Sequence, residues 1–150
     1  MTEFNPKKYQ GTWFEFGKYP VPYEVKPCKY STAEYRYNSD GNYINVLNTC
    51  YDEENKPIIS ITGLARPTNQ SDKFLIKFYP ESYAPYPVAP GEQPYNVLWT
   101  DYNNFAFVGD RNSYYILSRK RVITQEDLIF IINKTKELGY DIFKVRFNNL

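Results

Sequence analysis

The sequence predicts an all-β domain of short antiparallel strands with one amphipathic helix near the end of the chain. Three observations carry that expectation. Aromatic residues make up 19% of the 150 positions, with 16 tyrosines and 10 phenylalanines, and aromatics favour strands. Apolar and polar residues alternate with period two in one segment after another, separated by glycine, proline, asparagine and aspartate. The last three such segments, from Tyr95 onward, are apolar on both faces and so need cover on both sides. The helical pattern that follows them is that cover.

Residues 12–18 form the first expected strand. It follows Gly11, where the chain can bend sharply or approach another backbone closely. Trp13, this early in the strand, would plug one end of the enclosed core. Residues 19–28 hold three prolines and read as an extended loop. Strands at 30–38 and 42–50 flank Asp40-Gly41, a type I′ hairpin signal. That turn sets Ala33 opposite Asn48, Tyr35 opposite Val46 and Tyr37 opposite Ile44. These residues point inward, because Thr32, Glu34, Arg36 and Asn45 occupy the other face.

Residues 51–56 are a charged loop. The strand at 58–65 has two apolar faces, Ile58/Ser60/Thr62/Leu64 and Ile59/Ile61/Gly63/Ala65, and its facing stays open. A turn at 67–72 leads to the strand at 73–79, with Phe74, Ile76 and Phe78 inward. Residues 80–94 carry five prolines and no periodicity; so long a loop inside a compact domain is usually functional or disordered. Counting strands up and down puts it at the same end as residues 19–28, opposite Trp13. Tyr19, Tyr23, Tyr83 and Tyr86 are therefore expected around a mouth.

Segments 95–101, 105–110 and 113–119 make a meander. Tyr95, Val97, Trp99, Ala106, Val108, Tyr115, Leu117 and Arg119 share its inner face; Leu98, Phe105, Phe107, Tyr114 and Ile116 share the outer one. Thr124-Gln125-Glu126-Asp127 has the form of a capping box. Leu128, Ile131, Ile132, Thr135 and Leu138 make a helical stripe that ends before Gly139. Residues 140–145 read as a short final strand. No boundary divides the chain, so one domain over 1–150 is expected.

Lys and Arg total 18 against 17 Asp and Glu, a net charge of +1, and nothing points to nucleic acid. With no histidine, the usual general base and the commonest metal ligand are missing, and neither a metal nor a cofactor is expected. No apolar run approaches the roughly 20 residues that cross a bilayer. Residues 1–6 are polar and do not resemble a secretory signal. The expectation is a secreted, periplasmic or extracellular protein if a signal was removed, and a cytosolic one otherwise.

Gly11-Thr12-Trp13, Thr100-Asp101-Tyr102 and Arg119 together resemble the three signature regions of the lipocalin family, in order and spacing. Tyr35 through Asn48 and the phrase Ile116-Leu117-Ser118-Arg119 resemble its bacterial lipocalin and apolipoprotein D branch. The resemblance covers nearly the whole chain. It implies an eight-stranded antiparallel up-and-down barrel, a C-terminal α-helix packed outside, and a lipophilic ligand within. It also places Arg119 over Trp13 at the closed end, a structural contact, with Thr100, Asp101 and Tyr102 beside it.

The expected ligand-lining residues are Tyr35, Tyr37, Val46, Phe74, Ile76, Phe78, Tyr95, Val97, Tyr115 and Leu117. Apolar rings with polar tips suit a ligand with an apolar tail and a polar head. The family branch suggests fatty acids, lysophospholipids or small isoprenoids. Non-catalytic binding or transport of such a lipid is the expected function, with peripheral membrane contact during ligand exchange; the oligomeric state is left open. Cys50 falls opposite Ser31 in the hairpin register, so Cys28 lies just past the strand end, and a disulfide is expected in an oxidising compartment. Two rival readings exist. One is a lipid-modifying enzyme using Cys28 or Cys50 as nucleophile; the other is a protein-interaction module using the tyrosine- and proline-rich loops.

Overall fold

The computed structural model describes residues 3–20, 28–79 and 92–147. A single turn of helix, α1 (Pro6–Tyr9), precedes strands β1 (Gly11–Lys18), β2 (Tyr30–Asn38), β3 (Tyr43–Tyr51) and β4 (Pro57–Pro67). Then come β5 (Lys73–Tyr79), β6 (Gln93–Thr100), β7 (Phe105–Gly109), β8 (Tyr114–Ser118), helix α2 (Gln125–Glu137) and β9 (Arg146–Phe147). Each of β2 to β7 pairs antiparallel with the next, β8 pairs with β1, and β1 returns to β2, so eight strands close a ring. The ninth, β9, attaches to the end of β1 through Gly17↔Phe147 and Lys18↔Arg146.

The hairpin register is the one the sequence implies: Ala33↔Asn48, Tyr35↔Val46 and Tyr37↔Ile44. Its turn differs. Pairing stops at Asn38↔Tyr43, and the left-handed residue is Asn42, with φ 54°, rather than Asp40 or Gly41. The Asn38 side chain accepts from the Gly41 N–H and closes a four-residue loop, so the type I′ geometry is not adopted. For β4 the pairs Val46↔Gly63 and Ile44↔Ala65 decide the facing: Ile59, Ile61, Gly63 and Ala65 point inward. Gly63 leaves room for the Phe78 ring; a Cβ there would come within 2.9 Å of it.

Two further expectations are corrected. Trp99 does not face inward. A bulge between Val97 and Trp99 turns it out of the barrel, where it meets Phe107 and Phe130 at 5.9 and 5.5 Å. Residues 140–145 are not a strand. Gly139 takes φ 90°, Asp141 caps a 3₁₀ turn at Ile142–Lys144, and pairing resumes only in β9.

Helix α2 lies on the outer apolar face. Thr124 and Asp127 complete the capping box reciprocally, and Ile131 is fully buried against Phe105, Phe107, Tyr114 and Ile116. Tyr114 and Thr135 share a 2.7 Å hydrogen bond between hydroxyls. The barrel thus has two separate cores, one inside the ring and one under the helix.

Candidate functional site

The inner core is closed at one end by the N-terminal turn. Asn5 caps α1 by accepting from the Lys7 and Lys8 N–H groups, and Pro6 fits the first helical position. The cap aims Phe4 and Tyr9 into the ring, where they are 4% and 1% exposed. The Phe4 N–H donates to Ser71 Oγ and its ring meets Phe74 edge-on at 5.6 Å. Tyr9 offers its carbonyl to Trp13 Nε1 at 3.0 Å. None of α1, Phe4 or Tyr9 is legible as a site in the sequence, because a four-residue turn leaves no periodicity; Asn5-Pro6 is the only signal.

Arg119 locks this floor. Its guanidinium lies 3.8 Å from the centre of the Trp13 ring and donates to the carbonyls of Tyr102, Thr12 and Lys8. Partial burial pulls its acidity up, lowering its pKa from the ordinary value. Gly11, with φ 103°, is needed here twice over: the backbone is left-handed, and a Cβ would stand 3.0 Å from the guanidinium. Asp101 accepts from the Asn104 and Phe105 N–H groups, while Thr100 accepts from Tyr102 N–H. These three residues shape a turn rather than an acid–base site.

Above the floor, Phe4, Tyr9, Tyr35, Ile44, Val46, Ala65, Phe74, Ile76 and Tyr95 surround about 230 Å³ of space between atoms, none of it wide enough for a water. Tyr37, Phe78 and Tyr115 pack against this cluster from partly buried positions, and Val97 and Leu117 are buried within it. The lower barrel is therefore filled. Ile44, already expected to point inward, lines this space too, and Ala65, Phe4 and Tyr9 join the predicted lining residues, Ala65 because β4 could not be oriented from its own pattern.

Three phenols form a chain through that filled zone. Tyr95 donates to Tyr35 at 2.7 Å, which leaves Tyr9 to donate to Tyr95, also at 2.7 Å, since a phenol has one proton to give. Burial raises all three pKa values. The folded state keeps protons that the unfolded chain releases above about pH 10, so this stability is complete below that pH and is lost above it. The expected loss is up to ~1.4 kcal/mol per phenol for each further pH unit. Denaturant unfolding at about pH 8 and about pH 11 checks it: Tyr35→Phe should shrink the difference by that one phenol's share.

At the far end, Cys28 and Cys50 are joined in a disulfide, so neither sulfur is a free thiol. The strand ends flanking residues 21–27 and 80–91 lie at this end, but both segments fall outside the described residues, and Tyr23, Tyr83 and Tyr86 with them. Tyr19 is described and is not a mouth residue. It packs on Tyr114 and Tyr140 under α2, and its hydroxyl accepts from the Asp141 N–H. The bulge in β1 diverts the chain to that outer core.

An eight-stranded ring floored by a tryptophan–arginine stack, with apolar side chains converging inside, defines a small closed β-barrel, a size whose interior is either filled by side chains or holds one small ligand. A model of the lipocalin-like domain matches residues 4–149, and the chain belongs to that family, whose members in general bind small hydrophobic ligands and are not enzymes. It is 30% identical to temperature-induced lipocalin-1 of Arabidopsis thaliana over 145 residues, covering 94% of this chain and 76% of the relative. It is 31% identical to apolipoprotein D of Macaca fascicularis over 153 residues, covering 95% and 75%. The cockroach allergen Per a 4 shares the fold with a TM-score of 0.72 at 20% identity, covering 99% of this chain and 90% of that one. Lobster apocrustacyanin A1 gives 0.70 at 19%, covering 96% and 78%.

Proposed function

We propose that this barrel carries a small amphipathic lipid, a fatty acid, lysophospholipid or similar molecule, in the half opposite Trp13. The observation that carries the reading is the asymmetry of the interior. The Trp13 end is sealed and packed, whereas Phe78 and Tyr115, toward the other end, are only partly buried, and the proposed ligand's apolar part would lie against them. Membership of the lipocalin-like family supports binding over catalysis, and the disulfide withholds the thiolate that a cysteine-based enzyme needs. The same bridge favours an oxidising compartment. Among the described residues no helix is long and apolar enough to cross a membrane.

The test is a fluorescent fatty-acid displacement series across chain lengths. The parent should show an optimum, and Phe78→Ala should move it to longer chains, each added methylene being worth ~0.8 kcal/mol or roughly fourfold in affinity. If the parent binds no member of the series, the barrel is simply a filled core acting through its surface.

A further inference from the structure

Five of the residues expected to touch a ligand, Tyr35, Val46, Phe74, Ile76 and Tyr95, surround the space at the base of the barrel. Phe4 stands in the same wall, yet it belongs to no strand. It precedes α1, is 4% exposed, and meets Tyr9 and Phe74 with ring centres 4.9 and 5.6 Å away. The chain has folded one of its own phenyl rings into the apolar chamber.

The hydrogen bonds that hold this ring in place run from its backbone to side chains. The Phe4 N–H donates to Ser71 Oγ at 3.1 Å, and the Asn5 N–H donates to the Tyr102 hydroxyl at 2.9 Å. The second bond is exposed, so water competes for both its partners. Tyr9 is anchored separately, through its carbonyl to Trp13 and its hydroxyl to Tyr95. Residues 3–5 can therefore leave without unmaking the floor. On β4 and β5 small residues face large ones, Gly63 opposite Phe78 and Ala65 opposite Ile76, with Phe74 next in line. That row runs from the partly buried Phe78 down to the Phe4 ring. With the ring in place none of the space there is wide enough for a water, so a tail reaches this depth only where Phe4 has left.

We propose that Phe4 is a displaceable plug: its ring and the end of a long acyl chain compete for one apolar site at the base of the barrel. Short chains bind above it, and long chains bind with residues 3–5 released. This deepens the lipid-carrier reading and rests on it. A ligand that needs the released form binds more weakly in proportion to how rarely that form is populated.

The experiment measures decanoic and oleic acid by titration calorimetry on the parent and three variants. Phe4→Ala removes the ring; Ser71→Ala and Tyr102→Phe each remove one tether and keep the ring. Phe4→Ala should tighten oleate by about tenfold and leave decanoate within about twofold. Each tether variant should tighten oleate by about fivefold, the factor that losing one hydrogen bond adds to the released population. Hydrogen exchange is the second readout: saturating oleate should deprotect the Phe4 and Asn5 amides of the parent, and decanoate should not. Should Phe4→Ala fold poorly, the tether variants and the exchange decide. Oleate affinity unmoved in the folded variants, or amides that stay protected under saturating oleate, overturns the plug and leaves the carrier intact. A parent that binds neither acid while Phe4→Ala binds oleate supports the plug. Failure of the parent and every variant to bind either acid overturns both readings.

Discussion

Replacing Trp13 with alanine is expected to destabilise the protein by about 3–5 kcal/mol, the range for deleting a fully buried large aromatic. Trp13 is 0% exposed. Its loss would also take the ring from beneath Arg119 and leave the Tyr9 carbonyl without its indole donor. The Arg119 guanidinium would keep its backbone acceptors but stand over a void. Urea denaturation measures the effect, and ligand affinity per folded molecule should be unchanged. A midpoint equal to the parent's would mean that the floor is held by something other than this stack.

The next largest effect should come from the disulfide. The bridge joins residues 22 positions apart and ties the segment just before β2 to the end of β3. Reduction should cost about 2–4 kcal/mol, mostly by releasing the unfolded chain from a closed loop. Paired denaturation curves with and without reductant give the number. Maleimide labelling of the native oxidised protein should find neither thiol; labelling at both positions would show that the bridge does not form in solution.

The hairpin of β2 and β3 could be read from sequence because side chains alternate with period two, so one turn fixes every partner. The outer face under α2 was equally legible, since Leu98, Phe105, Phe107, Tyr114 and Ile116 alternate against the inner set. Bulges broke the same reasoning. Trp99 and Lys18 each lie just past one and point opposite to what counting gives. Strand β4 was ambiguous because both its faces are apolar; only its neighbours' register decides. Trp13 and Arg119 were expected at the floor, but its N-terminal turn was hardest to foresee. Phe4 and Tyr9 lie in a segment of charged and polar residues, and their burial follows from a single asparagine cap.

The Arg119 fork also constrains how the molecule can be made. Its acceptors on Thr12 and Lys8 precede it by 107 and 111 positions, and β1 finds its β8 partner across a similar gap. On a ribosome that delivers the chain from its N-terminus, the first strand must wait until residue 119 has cleared the exit tunnel before the ring can close. Through that interval β1 can pair only with β2, and its other edge stays exposed. Long-range pairing of this kind slows folding and lengthens exposure to aggregation. Yield on expression should therefore respond more to chaperone supply and to translation pauses after Arg119 than to substitutions within the β2–β3 hairpin, which is complete by residue 51.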